Sequence, residues 1–315
     1  MMRVFRTLQE IVPEARNCAL SIGNFDGVHA GHRRLLQRDL ELARLHGLIP
    51  SVLTFDPHPT RVVAPQRAPR LLTTLEQRLE LMQREGIAQV FVLPFDRTFS
   101  ELSPADFIDR VLVGSIGASL VLVGDNFRFG HKQEGTVETL KASSSFATEV
   151  VPAVTVRGRV VSSTEVRTLL ESGDVSRAAR LLLRSYALEG TVVPGFGIGS
   201  KQTVPTLNLD TRAEVIPARG VYVTRTADTG NGRQWPSVTN VGTRPTFDGQ
   251  AQTIETFLLS ALEGEAPRNI RVNFLRRVRD ERRFDSPELL RAQILKDVAR
   301  AQAYHRRTRV LDAAC

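Results

Sequence analysis

From about residue 18 to residue 155 the chain alternates short, continuous apolar runs with stretches of helical spacing. Cys18-Ala19-Leu20-Ser21-Ile22, Val52-Leu53-Thr54-Phe55, Val90-Phe91-Val92-Leu93 and Leu120-Val121-Leu122-Val123 read as strands covered on both faces. Leu35, Leu36, Leu40 and Ala43 mark a helix after the first of them. Leu75, Leu79 and Met82 mark another that stops at Gly86, and Ser103-Pro104-Ala105-Asp106 carries the N-cap, first-turn proline and capping acid of a third. Strand, helix, strand in this order predicts a parallel α/β sheet. Near residue 186 the texture changes: Tyr186 to Val193, Val221 to Thr224 and Ile254 to Leu259 are alternating or β-rich and are separated by Gly and Pro turns, as in an antiparallel barrel. Ser286-Pro287-Glu288 then opens one long helix with Leu290, Ile294, Val298 and Ala301 as its inner stripe. The expected organisation is a parallel-sheet α/β domain over residues 1–184 and a β-barrel with a C-terminal helix over residues 185–315. The last few residues are expected to fray, and there is no internal repeat or low-complexity segment.

Polar residues gather where the strands end. Gly23-Asn24-Phe25-Asp26-Gly27-Val28-His29-Ala30-Gly31-His32 joins the first strand to the first helix, so its backbone N–H groups and the positive helix end favour a phosphate. Its glycines let the anion approach, and His29 and His32 stand one turn apart. Thr54-Phe55-Asp56-Pro57-His58-Pro59 follows the second strand and Gly124-Asp125-Asn126-Phe127-Arg128-Phe129-Gly130 a later one, while Ser162-Ser163-Thr164-Glu165-Val166-Arg167 precedes a helix. Each has a plain structural explanation alone: a histidine pair at a helix start without the further ligands zinc needs, a serine cap, an acid ending a strand. Four polar loops converging on one crevice beyond the strand ends favour a shared ligand instead.

The chain of 315 residues, 42% hydrophobic, can bury ample core and suits two domains. No apolar run approaches the length of a membrane span, and Met1-Met2-Arg3-Val4-Phe5-Arg6 lacks the apolar stretch of a secretory signal, so a cytoplasmic protein with no membrane partner is expected. Cys18 and Cys315 are the only cysteines, which excludes a cysteine-based zinc site and argues against a structural disulfide. The net charge of +8 comes almost wholly from arginine and suits an anionic substrate such as ATP or, equally, nucleic acid. The arginines are scattered, however, and one tryptophan with three tyrosines makes no stacking platform, so no nucleic-acid partner is expected.

The four loops, in order, resemble those of the FMN adenylyltransferase module of prokaryotic bifunctional riboflavin kinase/FAD synthetases, within the nucleotidyltransferase superfamily whose signature is His-x-Gly-His. The match spans roughly residues 18–183 and implies a Rossmann-like fold. It implies that FMN phosphate attacks the α-phosphorus of ATP and that pyrophosphate leaves. Such a displacement needs in-line positioning and charge neutralisation rather than a protein nucleophile. By the same resemblance His29, His32, Asn126 and Arg167 are catalytic; Gly23, Phe25, Asp26, Gly31, Ser163 and Thr164 hold ATP; and Asp56, His58 and Arg128 meet the flavin. Asp26 and Asp56 could equally position the loop, hold magnesium or cap turns.

Beyond residue 186, Gly195-Phe196-Gly197-Ile198-Gly199-Ser200-Lys201 is neither a Walker A loop nor a dinucleotide fingerprint. With Val204-Pro205-Thr206-Leu207-Asn208, Asn240-Val241-Gly242-Thr243-Arg244-Pro245-Thr246-Phe247 and an isolated Glu255, it resembles the riboflavin kinase module over roughly residues 186–305. An inward-facing glutamate in a barrel strand would be costly without a task; on the outer face it would be unremarkable. The resemblance implies that Gly197 and Gly199 line the ATP site, that Thr206 and Asn208 hold Mg²⁺ and that Glu255 is the general base. Ser200, Val204 and Phe257 depart from the family pattern. The expectation is a two-step enzyme with ATP, riboflavin and FMN as partners, Mg²⁺ as cofactor, and a homo-oligomer left open. Two rivals stand beside it: an adenylyltransferase whose barrel binds flavin without phosphorylating it, and a basic nucleic-acid-binding or flavin-sensing regulator.

Overall fold

In the computed structural model the chain is described over residues 2–194, 206–246, 249–262 and 264–312. It divides into two compact units, Met1–Ser163 and Thr164–Cys315.

The first unit is built on strands β1 (Arg3–Phe5), β2 (Cys18–Ile22), β3 (Ile49–Asp56), β4 (Gln89–Pro94), β5 (Ala118–Gly124) and β6 (Ala147–Val151), in the order β1-β4-β3-β2-β5-β6. Every pairing is parallel. Successive residues of the apolar runs serve opposite faces: Leu20, Leu53, Phe91 and Val121 join one core cluster, Ala19, Val52, Val90 and Leu122 the other. The helices are α1 (Ala30–His46), α2 (Pro59–Val63), α3 (Leu75–Glu85), α4 (Arg97–Ser100), α5 (Pro104–Asp106) and α6 (Val137–Lys141). Their ends follow the sequence signals. Thr74 and Gln77 form a capping box on α3, Gly86 closes it at φ 99°, and the Ser103 hydroxyl accepts from the Asp106 N–H. α5 continues into Phe107–Ile116, wound as a π-helix. From β2 the order runs to β3 on one side and to β5 on the other, which leaves a crevice beyond the carboxyl ends of β2 and β5. Thr155–Val156 (β7) and Arg159–Val160 (β8) form a short hairpin. Beneath the sheet the buried Asp39 of α1 accepts a 2.7 Å hydrogen bond from the Ser21 hydroxyl.

In the second unit α7 (Ser163–Glu171) and α8 (Val175–Leu182) precede strands β9 (Tyr186–Val193), β10 (Thr206–Asp210), β11 (Gly220–Asp228), β12 (Gln234–Thr246), β13 (Gly249–Leu258) and β14 (Asn269–Arg279). These close an antiparallel barrel in the order β10-β13-β12-β11-β14-β9. The unit begins ahead of the barrel because α8 lies against β9 and β14. Arg184 stands just before the first barrel strand. Val221, Val223 and Val238 pack outward beneath Ala301 of α9 (Pro287–Asp312). The alternate positions therefore face inward, and several of them are hydroxyls. Thr226, Ser237, Thr224, Thr239 and Thr256, all fully buried, form a chain with O···O distances of 2.9, 2.8, 2.8 and 2.9 Å.

The inner stripe of α9 differs from the sequence expectation. Leu290 is 40% exposed, while Asp297 and His305 are buried beside Ala301. Asp297 accepts from Arg279 Nε at 2.8 Å and from Gln293 at 2.9 Å, and His305 Nε2 lies 3.1 Å from the Thr224 carbonyl oxygen. The helix docks through paired polar groups that a hydrophobic spacing rule passes over. No described helix is long and apolar enough to cross a membrane.

Candidate active sites

The loop after β2 is held in a strained shape. Phe25, Gly27 and Val28 adopt φ values of 51°, 80° and 38°, and for a β-branched residue such as Val28 this is costly unless the surroundings enforce it. They do. The buried Asp26 carboxylate accepts the Leu72 N–H at 2.9 Å and the Thr73 N–H at 3.2 Å, the Thr73 hydroxyl accepts from the Gly27 N–H at 3.0 Å, and the Ser163 hydroxyl donates to the Asp26 carbonyl at 2.9 Å. Asp26 thus faces its own scaffold, and Ser163 is tied to the loop.

His29 is the N-cap of α1, its Nδ1 accepting the His32 N–H at 3.3 Å. An acceptor at Nδ1 puts the ring proton on Nε2, so His29 is a neutral donor by its outer nitrogen. The His29 and His32 rings stack at 3.7 Å, and Phe25 lies 5.1 Å from His32. Burial, and then the neighbouring His29, push His32 well below the usual imidazole range. A Cβ on Gly31 would come within 3.2 Å of the His29 ring, which explains the glycine between the two histidines.

Below the loop lies Arg78 of α3, only 1% exposed, whose Nη1 donates to the Asn24 carbonyl at 2.9 Å and whose Nη2 is 3.8 Å from Asp56 Oδ1. None of the sequence motifs includes it. The signal was present: Arg78 sits three residues after Leu75 and four before Met82, on the apolar stripe itself.

Gly23 and Asn24, at the end of β2, and Asn126 and Arg128, after β5, line one cavity of about 600 Å³. Its wall is aromatic. Phe55–Phe95, Phe95–Phe99, Phe99–Phe107, Phe107–Phe129 and Phe129–Phe127 follow one another with ring centroids 5.5, 5.5, 6.2, 5.4 and 5.7 Å apart. Pro59 and Thr60 of α2 also face it, whereas His58 is buried as the cap of that helix, its Nδ1 accepting the Thr60 N–H at 3.3 Å. Asp56 is half exposed beside Arg78. Thr164 and Arg167 stand one turn apart on α7, in the second unit, with Arg167 Nη1 3.5 Å from the Thr164 hydroxyl. The phenylalanine wall was legible only as scattered aromatic positions, because its members come from four separate segments.

On the barrel, Asn208 stands opposite Glu255 in the β10–β13 register, and Asn240 stands opposite it in the β12–β13 register. One lateral row therefore reads Asn208, Glu255, Asn240, with Thr206 beside Phe257 in the next pair. Ile254, Thr256 and Leu258 are buried and Glu255 is half-buried between them, so Glu255 lies on the outer face. The cost of an inward carboxylate does not arise. Gly197, Gly199, Ser200 and Val204 lie outside the described residues, as does the C-terminal end.

A Rossmann-like sheet with a phosphate-ready loop at its switch point, followed by a separate closed barrel, defines a two-module nucleotide-using protein. The family described as FAD synthetase matches residues 11–165, and that described as riboflavin kinase matches residues 182–305. The bifunctional riboflavin kinase/FMN adenylyltransferase of Pseudomonas fluorescens is 36% identical over 306 residues, covering 96% of this chain and 97% of that one. Its counterpart in Escherichia coli K12 is 37% identical over 290 residues, covering 91% and 92%. A solved structure described as a macrolide-efflux protein from Streptococcus pneumoniae superposes with a TM-score of 0.85 at 26% identity, covering 96% and 98%. The chain belongs to the family of bifunctional riboflavin kinase/FMN adenylyltransferases.

Proposed function

We propose that this chain makes FAD from riboflavin in two ATP-dependent steps, with residues 1–184 transferring the adenylyl group and residues 185–315 phosphorylating riboflavin. The observation that carries the first step is the cavity that joins the ends of β2 and β5. Gly23 and Asn24, where the loop to the α1 helix start begins, share its wall with phenylalanine rings, the surface a flat aromatic ring system fills. An FMN phosphate oxygen attacks the α-phosphorus of ATP, the bond to the β-phosphate breaks, and pyrophosphate leaves. His29 and His32 donate to the phosphate oxygens, with Gly23, Phe25 and Gly31 shaping the loop. Thr164 and Arg167 hold the triphosphate, and Asn126 and Arg128 line the meeting point of the substrates. Asp26 and Ser163 shape the loop from beneath, and Asp56 and His58 do the same for the adjoining turn.

In the kinase step Glu255 takes the proton of the ribityl hydroxyl as that oxygen attacks the γ-phosphorus, and ADP leaves. Among the described residues no three His, Cys, Asp or Glu side chains gather as a metal cage. Thr206 and Asn208, two residues apart and so on one face of β10, offer instead the hard oxygen donors that suit a Mg²⁺ held mainly by ATP phosphates. When bound, the ion neutralises the charge on the transferring phosphate. A cytoplasmic location fits a buried Cys18 that forms no disulfide.

The test is product chromatography after incubation with ATP and Mg²⁺, one reaction started from riboflavin and one from FMN. FAD from both is the expected result. FAD from FMN alone would mean a barrel that binds without phosphorylating, and no product from either would reject the proposal.

A further inference from the structure

Arg78 is the largest of the fully buried side chains, at 1% exposure, and it is bonded to the loop that carries the two histidines. Its guanidinium touches two strand ends at once. Nη1 donates to the carbonyl of Asn24 at 2.9 Å, after β2, and Nη2 faces Asp56 Oδ1 at 3.8 Å, at the end of β3. The Thr54 hydroxyl donates to the same Asn24 carbonyl at 3.3 Å, so this oxygen is gripped from two sides. Nε and Nη2 have no hydrogen-bond partner among the described residues. Burial pulls the guanidinium below its ordinary range, and Asp26, then Asp56 and Glu76, oppose this.

A carboxylate buried under a phosphate site is a liability, since it repels the anion the site must bind. Asp26 cannot be dispensed with, because it holds the Leu72 and Thr73 N–H groups and through them the strained Phe25–Val28 turn. The Arg78 charge acts on Asp26 through space and favours the burial of both groups. An arginine suits the task better than a lysine, because its fork reaches two partners at fixed geometry and keeps its charge when buried.

We propose that Arg78 is a positioning residue for adenylyl transfer: it fixes the Asn24 carbonyl and the Asp56 turn in register, so that the histidine loop meets a polyphosphate with its donors aligned. This rests on the adenylyltransferase reading of the α/β unit. Arg78 itself lines no part of the cavity and holds only the carbonyl of Asn24 there, so its effect falls on the rate of the chemical step more than on flavin affinity.

The test uses the full chain carrying Arg78→Lys, Arg78→Met or Asp56→Asn, with FMN adenylylation followed as kcat and KM and FMN binding followed separately by flavin fluorescence. The expected result is a kcat about 100-fold lower for Arg78→Met, with FMN affinity and riboflavin phosphorylation near those of the parent. Arg78→Lys keeps the charge but not the fork and should fall between the two, and Asp56→Asn should cost less than either. Parent-like kcat in both Arg78 variants would overturn the proposal. So would loss of FMN binding in proportion to activity in Arg78→Lys, which would make the residue purely structural; that variant decides if Arg78→Met does not fold. Failure of the parent itself to form FAD from FMN would instead reject the adenylyltransferase reading.

Discussion

The two units bury polarity in different currencies. The α/β unit hides ionisable groups beneath its site: Arg78 and Asp26 under the loop, Asp39 under the sheet. The barrel threads a chain of neutral hydroxyls through an otherwise apolar interior and carries Glu255 on its outer face, in a lateral row with Asn208 and Asn240. The first site depends on charges balanced below strained backbone. The second depends on strand register, because a one-residue slip would send Glu255 to the other face. Changes of charge and pH should therefore act first on the α/β unit, and changes of strand alignment on the barrel.

The largest effects should come from separating the two chemistries. Glu255→Gln is expected to lower riboflavin phosphorylation by at least about 100-fold while FMN adenylylation continues. His29→Ala should lower adenylylation by about 100-fold and spare the kinase. Product chromatography from each substrate reads both, and one substitution that removed both activities would break the comparison.

Next in size is the exception within the barrel unit, the ion pair between Arg279 and Asp297, whose side chains are 10% and 4% exposed. Asp297→Ala leaves a buried guanidinium without its carboxylate and should cost about 3 kcal/mol. Trp235, the only tryptophan and a buried residue of β12, reports this in denaturant through its fluorescence. A loss below about 1 kcal/mol would show that water reaches the pair.

Asp39 sharpens the comparison through pH. Burial holds its carboxyl well above the ordinary 3.8, so the folded chain keeps a proton that the unfolded chain releases. Stability from this group is complete below the unfolded value and is lost as pH rises through the raised folded one. Asp39→Asn does not titrate, so its stability relative to the parent should grow as pH rises from about 4. Unfolding free energies measured across that range should diverge; parallel curves would mean that Asp39 is solvated. The smallest effect expected is that of Leu290→Ala on α9, within about 0.5 kcal/mol, because the residue is 40% exposed.

Most of the α/β unit was legible in the sequence because its strands are apolar on both faces and its helices carry their own caps. Its loops were legible too, since a helix-start histidine pair is contiguous in the chain. Arg78 was not, because a charged residue on an apolar stripe reads as a defect until its partners are seen, and those lie on β2 and β3. The barrel was harder. With Thr224, Thr226, Ser237, Thr239 and Thr256 turned inward, hydropathy does not mark which face of β11, β12 and β13 is the core. The face of Glu255 could not be assigned for the same reason. β14 alternates Ile270, Val272 and Phe274 inward, but the arginines between them hide the pattern. On α9 the buried Asp297 and His305 join Ala301, while Leu290 of the expected stripe is exposed.

The inward hydroxyl chain has a consequence beyond the barrel interior. Thr224 stands opposite Ser237, and Thr239 opposite Thr256, in the register that also sets Asn240 opposite Glu255. Moving β12 along its neighbours by one residue would push Val238 inward, turn the hydroxyls toward α9 and draw Asn240 out of line with the carboxylate. Apolar side chains would tolerate small misalignments; a relay of single protons, each hydroxyl giving one and receiving another, accepts only matched spacing. The inside of the barrel thus works as a vernier scale, on which the reading taken among buried threonines fixes where the glutamate on the outside stands.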